Sequence, residues 1–189
     1  MGQKTVADIG RQDHLKFAEE ELKFCEKNNI RILLRHLNEI PSLLNECTDA
    51  PPILYQKGNF DDSLQKLSIV GTRNMTSYGR QFIENFFETT QSYPYASVSG
   101  LALGADKEVH EQSIRNRKPT IAVLAHGFRF LYPSKNRKLS EKSFRKEAHC
   151  SQNSVLRETR QGKFHSEKPD CSGISPSTIV VETGFGADL

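Results

Sequence analysis

Twice in this chain a short β-type run ends at a glycine loop and passes into a helical segment, and that repeat constrains the fold more than any other feature. Leu67-Ser68-Ile69-Val70 leads into Gly71-Thr72-Arg73, ahead of a helical stretch at 76–90. Tyr95 to Val98 leads into Ser99-Gly100, with Gly104 following, ahead of a helical stretch at 106–117. Glycine lets backbone N–H groups approach a ligand, and the helix N-terminus adds partial positive charge. Strand, glycine loop and helix form the unit of an open α/β sheet, which binds ligands beyond the C-terminal ends of its strands. Neither loop has the G-x-G-x-x-G spacing, so an ordinary dinucleotide fingerprint is absent.

The remaining segments extend the same alternation. Strands are predicted at 30–34, 53–55, 67–70, 96–98, 120–125 and 178–181. The run from Thr120 to Ala125 is continuously apolar, as a sheet covered on both faces requires. A helix is predicted over 11–29, with Leu15, Ala18, Leu22 and Cys25 on its apolar face. In the 76–90 helix, Phe82, Phe86 and Phe87 are expected toward the core. The polar, basic stretch 134–161 reads as a further helix. The expected fold is α/β, a single domain with a mostly parallel sheet of right-handed βαβ units flanked by helices. It would occupy residues 30–189, after a helical segment at 1–29, and 189 residues suit one such domain. The chain closes on Gly184-Phe185-Gly186-Ala187-Asp188-Leu189, a glycine loop with no helix after it, which reads as a C-terminal truncation.

Net charge is only +3, but its distribution is uneven. Residues 107–168 hold 15 Lys/Arg against 6 Asp/Glu, whereas 1–106 hold 11 against 14. A basic stretch of this kind is either a solvated surface or a contact for a polyanion. The four cysteines, Cys25, Cys47, Cys150 and Cys171, form no C-x-x-C pair, and reduced thiols are the simplest reading. No secretory signal opens the chain and no apolar run approaches the ~20 residues that span a bilayer, so a soluble, cytoplasmic protein is expected.

Each candidate residue has a plain structural alternative. Arg73 can offer a planar, permanently charged fork to a phosphate at the helix mouth, or it can simply lie on the surface. Ser99 can donate its hydroxyl and Gly100 its amide to the same ligand. Asp106 would repel a phosphate, so it is read as a structural cap of its loop or helix. His110, four residues on, could pair with Asp106 for catalysis or metal binding, but no third partner is evident and the expectation is no metal and no catalytic group. After strand 120–125 come His126, Gly127 and Phe128-Arg129-Phe130-Leu131-Tyr132. Aromatics interleaved with Arg129, Lys135, Arg137 and Lys138 suit stacking and phosphate contact with single-stranded nucleic acid. The same alternation equally fits a short strand packing its rings into the core.

Several short motifs occur in order: Pro51-Pro52 to Gly58, Ile69-Val-Gly-Thr-Arg73 with Tyr78-Gly79, Ser99-Gly-Leu-Ala-x-Gly-x-Asp106 with His110, and Ile121-Ala-Val-Leu with Gly127 and Tyr132-Pro133. Together they resemble the DprA/Smf family of DNA-processing proteins, over about residues 30–138. The resemblance implies an extended Rossmann-like fold, binding of single-stranded DNA and loading of the RecA recombinase in natural transformation. It implies no catalysis and no cofactor, and it admits a homodimer. Carried over by motif, Gly71, Thr72, Arg73, Ser99, Gly100 and Gly104 would form the DNA-phosphate pocket; Gly127, Arg129, Lys135 and Arg137, from the loop after strand 120–125, are the further candidate contacts read from the residues themselves. Such proteins carry a Phe-x-x-Arg-Asn-Arg segment that completes the pocket. Here Cys171-Ser172-Gly173-Ile174-Ser175 runs almost directly into the last strand instead, as if that segment were deleted.

Two other readings compete. One is an enzyme or sensor for a free nucleotide, which would draw its acid or base from Asp106, His110 or Glu182. The other is a degraded remnant that keeps the sheet without the activity.

Overall fold

The computed structural model describes residues 12–58, 63–124, 127–128, 148–151 and 173–183. Its elements, in chain order, are α1 (Gln12–Lys27), β1 (Ile30–Leu34), α2 (Ser42–Glu46), β2 (Ile53–Lys57), β3 (Gln65–Val70), α3 (Ser77–Thr89), β4 (Tyr95–Ser99), α4 (Ala105–Arg115), β5 (Thr120–Leu124), β6 (Ala148–Ser151) and β7 (Ser177–Val180). One seven-stranded sheet runs in the order β1-β2-β6-β5-β4-β3-β7. Strands β6, β5, β4, β3 and β7 pair in parallel, and β2 is antiparallel to both of its neighbours. This is the mostly parallel, helix-flanked Rossmann-like sheet expected from the strand–glycine–helix repeat.

Every residue of β4 and β5 is buried, which explains why those two segments carry no charged side chain. Leu33, Leu54, Val98, Ile121 and Val123 form the core on one face, under Ile40 and Leu44. On the other face α3 and α4 press Ile83, Phe87, Ala105 and Val109 onto Ile69 and Tyr95. Beside them α1 seats Cys25 and Phe24 against Tyr55, Ala122 and Leu124. Burial, with a lesser effect from Glu21, pushes the Cys25 thiol up to about 11, so this cysteine acts as a small apolar side chain.

Three expectations need correction. Leu15 and Leu22 are more than half exposed, and the covered face of α1 runs through Phe17, Glu21, Phe24 and Cys25. Two phenylalanines cover more apolar area than the leucine stripe, and they set the rotation of the helix. Phe82 is 40% exposed, whereas Ile83 and Phe87 fill the core beneath α3. Within the predicted helix 134–161, residues Ala148–Ser151 are instead a strand, paired to β5 on one side and β2 on the other. Ala-His-Cys-Ser has no apolar run to announce a strand. Two waiting ladders of backbone donors and acceptors make it one.

Candidate functional site

The register of the sheet brings the glycine loops together. Ser68 pairs with Val98 and Val70 with Val180, so Gly71, Gly100 and Val181 leave the sheet along one edge. Strands β3 to β6 succeed one another outward, and β7 then returns to the other side of β3. That reversal is a topological switch point, where open α/β sheets bind ligands.

The two loops touch directly. The Ala105 amide donates to the Thr72 carbonyl at 3.1 Å. Gly104 has φ +83°, and a Cβ there would run into the carbonyls of Thr72 and Arg73. A Cβ on Gly71 would come within 2.7 Å of the Ala105 methyl. Both glycines therefore serve first to let one loop approach the other. Neither the Leu103 nor the Gly104 amide donates a backbone hydrogen bond among the described residues, and Leu103 is 46% exposed at the loop tip.

Ser99 departs from expectation. Its side chain is fully buried, with Oγ 2.6 Å from the Ile69 carbonyl and 3.1 Å from Asp106 Oδ1. The hydroxyl is engaged inside the protein and does not face a ligand. Asp106 also accepts from the Ala102 amide at 3.4 Å, so its carboxylate ties the loop to the first turn of α4.

Beneath that loop lies a buried polar chain. His110 is completely buried, with Nε2 2.6 Å from the Gly100 carbonyl and Nδ1 2.8 Å from Thr120 Oγ1. A carbonyl can only accept, so Nε2 carries the proton and Nδ1 accepts from the Thr120 hydroxyl. Ser97 donates to Thr120 at 2.8 Å, and Ser113 lies 2.7 Å from both Ser97 Oγ and the Val109 carbonyl. Burial holds the imidazole neutral, down to about 4, against the opposing effect of its bond to Gly100. Both ring nitrogens are in hydrogen bonds within the protein. His110 is a strut for Gly100.

The mouth of α3 is also occupied. Thr76 caps the helix by accepting from the Gly79 amide at 3.2 Å. The Glu182 carboxylate accepts from the Thr76 amide at 2.9 Å and from the Thr76 hydroxyl, while its own carbonyl accepts from the Thr72 amide at 2.9 Å. These bonds hold the Glu182 carboxyl below its ordinary range. A phosphate expected at this helix mouth beside Arg73 would meet a carboxylate there. Arg73 itself is exposed on the loop. Sequence reading placed Glu182 only as a possible acid or base, and nothing local to it announced a cap for a helix so far upstream.

Gly127 and Phe128 follow β5 at the same sheet edge, and Phe128 is buried with Tyr55, Leu101 and Leu124. Of the two readings of the aromatic run, Phe128 takes the core one. Arg129, Phe130, Tyr132, Lys135 and Arg137 lie outside the described residues.

A family model described as DNA recombination-mediator protein A matches residues 31–186. Protein Smf of Synechocystis is 30% identical over 187 residues, covering 96% of this chain and 46% of that protein. The DNA processing protein DprA of Bacillus subtilis is 33% identical over 153 residues, covering 76% of this chain and 49% of that protein. The chain thus spans about half the length of these curated relatives. Among solved structures, DprA of Streptococcus pneumoniae superposes with a TM-score of 0.78 at 25% identity, over 87% of this chain and 59% of that one. DprA of Helicobacter pylori, whose structure was described for its single-stranded DNA binding mode, gives 0.71 at 23% identity over 84% and 71%, and attests the fold alone. With the ordered loop motifs gathered along one sheet edge and the family match spanning most of its length, this chain belongs to the DprA/Smf family of DNA-processing proteins.

Proposed function

We propose that this chain binds single-stranded DNA and acts as a non-enzymatic mediator of RecA-dependent recombination during DNA uptake, in the cytoplasm. The observation that carries the reading is the seam between Gly71-Thr72-Arg73 and Ser99 to Gly104, the loops after β3 and β4 next to the β3–β7 switch point, in a member of a DNA-processing family. With Glu182 at the mouth of α3, the phosphate belongs on the α4 side of the seam, where the Leu103 and Gly104 amides donate no backbone hydrogen bond among the described residues and Arg73 stands exposed on the facing loop. In this reading Gly71, Thr72, Ser99 and Gly100 shape the pocket through backbone position, and Asp106 locks it. Gly127 follows β5 at the same sheet edge, and the basic residues Arg129, Lys135 and Arg137 after it in the sequence are the further contacts proposed for the strand.

Fluorescence anisotropy with a labelled oligonucleotide tests the reading. Single strands should bind more tightly than duplex, with affinity falling steeply as salt rises. Arg73→Ala should weaken binding about tenfold and reduce the slope of log K against log salt by about 0.7, the value for one lost phosphate contact on a single strand. RecA should then nucleate faster on the bound strand. Absence of binding at low salt would exclude this function for the chain. Calorimetric binding of a mononucleotide that DNA fails to displace would favour a nucleotide enzyme or sensor.

A further inference from the structure

The buried polar chain under the α4 loop ends on a backbone carbonyl of that loop. Of the ten buried polar side chains among the described residues, four belong to it: Ser97, His110, Ser113 and Thr120. Apolar side chains of similar volume would fill this space without the risk of an unpaired buried donor or acceptor. Polar burial concentrated at one loop therefore calls for a reason beyond packing.

The direction of its hydrogen bonds is forced. The Gly100 carbonyl only accepts, so Nε2 of His110 donates to it at 2.6 Å. A neutral imidazole has one N–H, and complete burial keeps this ring neutral. Nδ1 must then accept, and the Thr120 hydroxyl, 2.8 Å away, gives it its only proton. Thr120 in turn accepts from Ser97 at 2.8 Å. The order Ser97, Thr120, His110, Gly100 thus runs one way, from β4 and β5 through α4 to the loop. Ser97, Thr120 and His110 are at most 1% exposed, so water competes for none of these bonds.

The loop is pinned at three positions. Asp106 accepts from the Ala102 amide at 3.4 Å, and the Ala105 amide donates to the Thr72 carbonyl at 3.1 Å. The Leu103 and Gly104 amides fall between those two pins. The third pin, His110 on Gly100, ties the loop to β5, a strand with every residue buried.

We propose that His110 and Thr120 are positioning residues for the single strand: His110 sets the Gly100 carbonyl, Thr120 sets the His110 ring, and the loop is held ready to present its Leu103 and Gly104 amides. The proposal rests on the DNA-binding reading above and adds the residues that pre-organise its phosphate loop. Neither side chain touches the oligonucleotide. A loop ordered on folding costs less to bind, because its backbone entropy is not lost at association.

The test uses Thr120→Val and Thr120→Ser in the full chain, with one fluorescein-labelled single-stranded oligonucleotide across a salt series. Valine keeps the shape of threonine and removes the hydroxyl, whereas serine keeps the hydroxyl. Thr120→Val should weaken single-strand binding about tenfold, the cost of ordering roughly one residue's backbone at association. Its salt slope should match the wild type, because no phosphate contact is lost, whereas Arg73→Ala should lower the slope. Thr120→Ser should bind as the wild type does. Heteronuclear NMR of the wild-type imidazole should find the proton on Nε2 and protected from exchange with water.

Wild-type affinity in a folded Thr120→Val protein, even with a lower melt, makes the buried polar chain structural only and overturns the proposal. A proton found on Nδ1, or a serine variant as weak as the valine one, overturns it too. Should Thr120→Val fail to fold, Ser97→Ala takes its place; it removes only the donor to Thr120, and unchanged affinity refutes the proposal in the same way. No binding by the wild-type protein overturns the DNA reading and this proposal with it. Binding by the wild type that Thr120→Val leaves unchanged overturns the proposal alone.

Discussion

Helices α3 and α4 both start from a glycine loop, and a carboxylate meets each at its first turn, but the two carboxylates come from very different distances. At α4 the group is Asp106, seven residues from its partner Ser99 and within the helix it serves. At α3 it is Glu182, 106 residues beyond Thr76, on the segment after β7. The α4 loop is also fastened from below, where His110 holds the Gly100 carbonyl inside the core. The α3 loop is fastened instead across the sheet, where the Thr72 amide donates to the Glu182 carbonyl. Its closure depends on β7, an edge strand with three of its four residues exposed. One loop is thus set by local chemistry and the other by the docking of a distant strand, so the two should open with different free energies.

The largest effect should come from the residue that joins them. Gly104→Ala places a side chain at φ +83° against two carbonyls. We expect a loss of about 3 kcal/mol, or a thermal midpoint lower by about 6–12 °C, from backbone strain and overpacking together. A melt within 2 °C of wild type would show the seam to be pliable.

Next is the strut under the α4 loop. His110 is held down to about 4, against about 6.5 in an unfolded chain. Between those values the unfolded state binds the additional proton, so stability rises with pH across that window. On acidification the contribution is complete above about pH 6.5 and is lost as pH falls toward 4, on the order of 3 kcal/mol in all. His110→Gln should be less stable at neutral pH, from a broken polar chain, yet its stability should vary less with pH between 6.5 and 4. Parallel pH profiles for the two proteins would remove His110 as the titrating group.

The smallest effect should separate the two loops. Glu182→Gln removes the charge at the mouth of α3 while leaving a carbonyl oxygen there. Global melting should hardly change, because the carboxylate is exposed, but amide exchange at Thr72 and Thr76 should accelerate. Exchange in the α4 loop should stay at its wild-type rate. Acceleration in both loops would mean that they open as one unit.

Legibility followed the same division. Strands β3 and β5 begin or end within two residues of expectation, because apolar runs bounded by glycine or turn residues mark them in the sequence. Strand β6 was missed, since Ala148–Ser151 has neither apolar run nor alternation and is a strand only because β2 and β5 flank it. His110 was legible as a residue of interest four positions after Asp106, but not as a buried strut. The partners that decide the matter, Gly100 and Thr120, lie ten residues away on either side. Glu182 was legible only as a carboxylate.

The sequence by itself determined the strand–glycine–helix repeat, the parallel sheet it builds and the family to which the ordered motifs belong, since these follow from local periodicity and from glycine's backbone freedom. Only the tertiary structure decided what the glycines, Ser99, His110 and Glu182 are for. Each role depends on a partner that the sheet register brings within hydrogen-bond or van der Waals reach, and register is a property of the assembled strands.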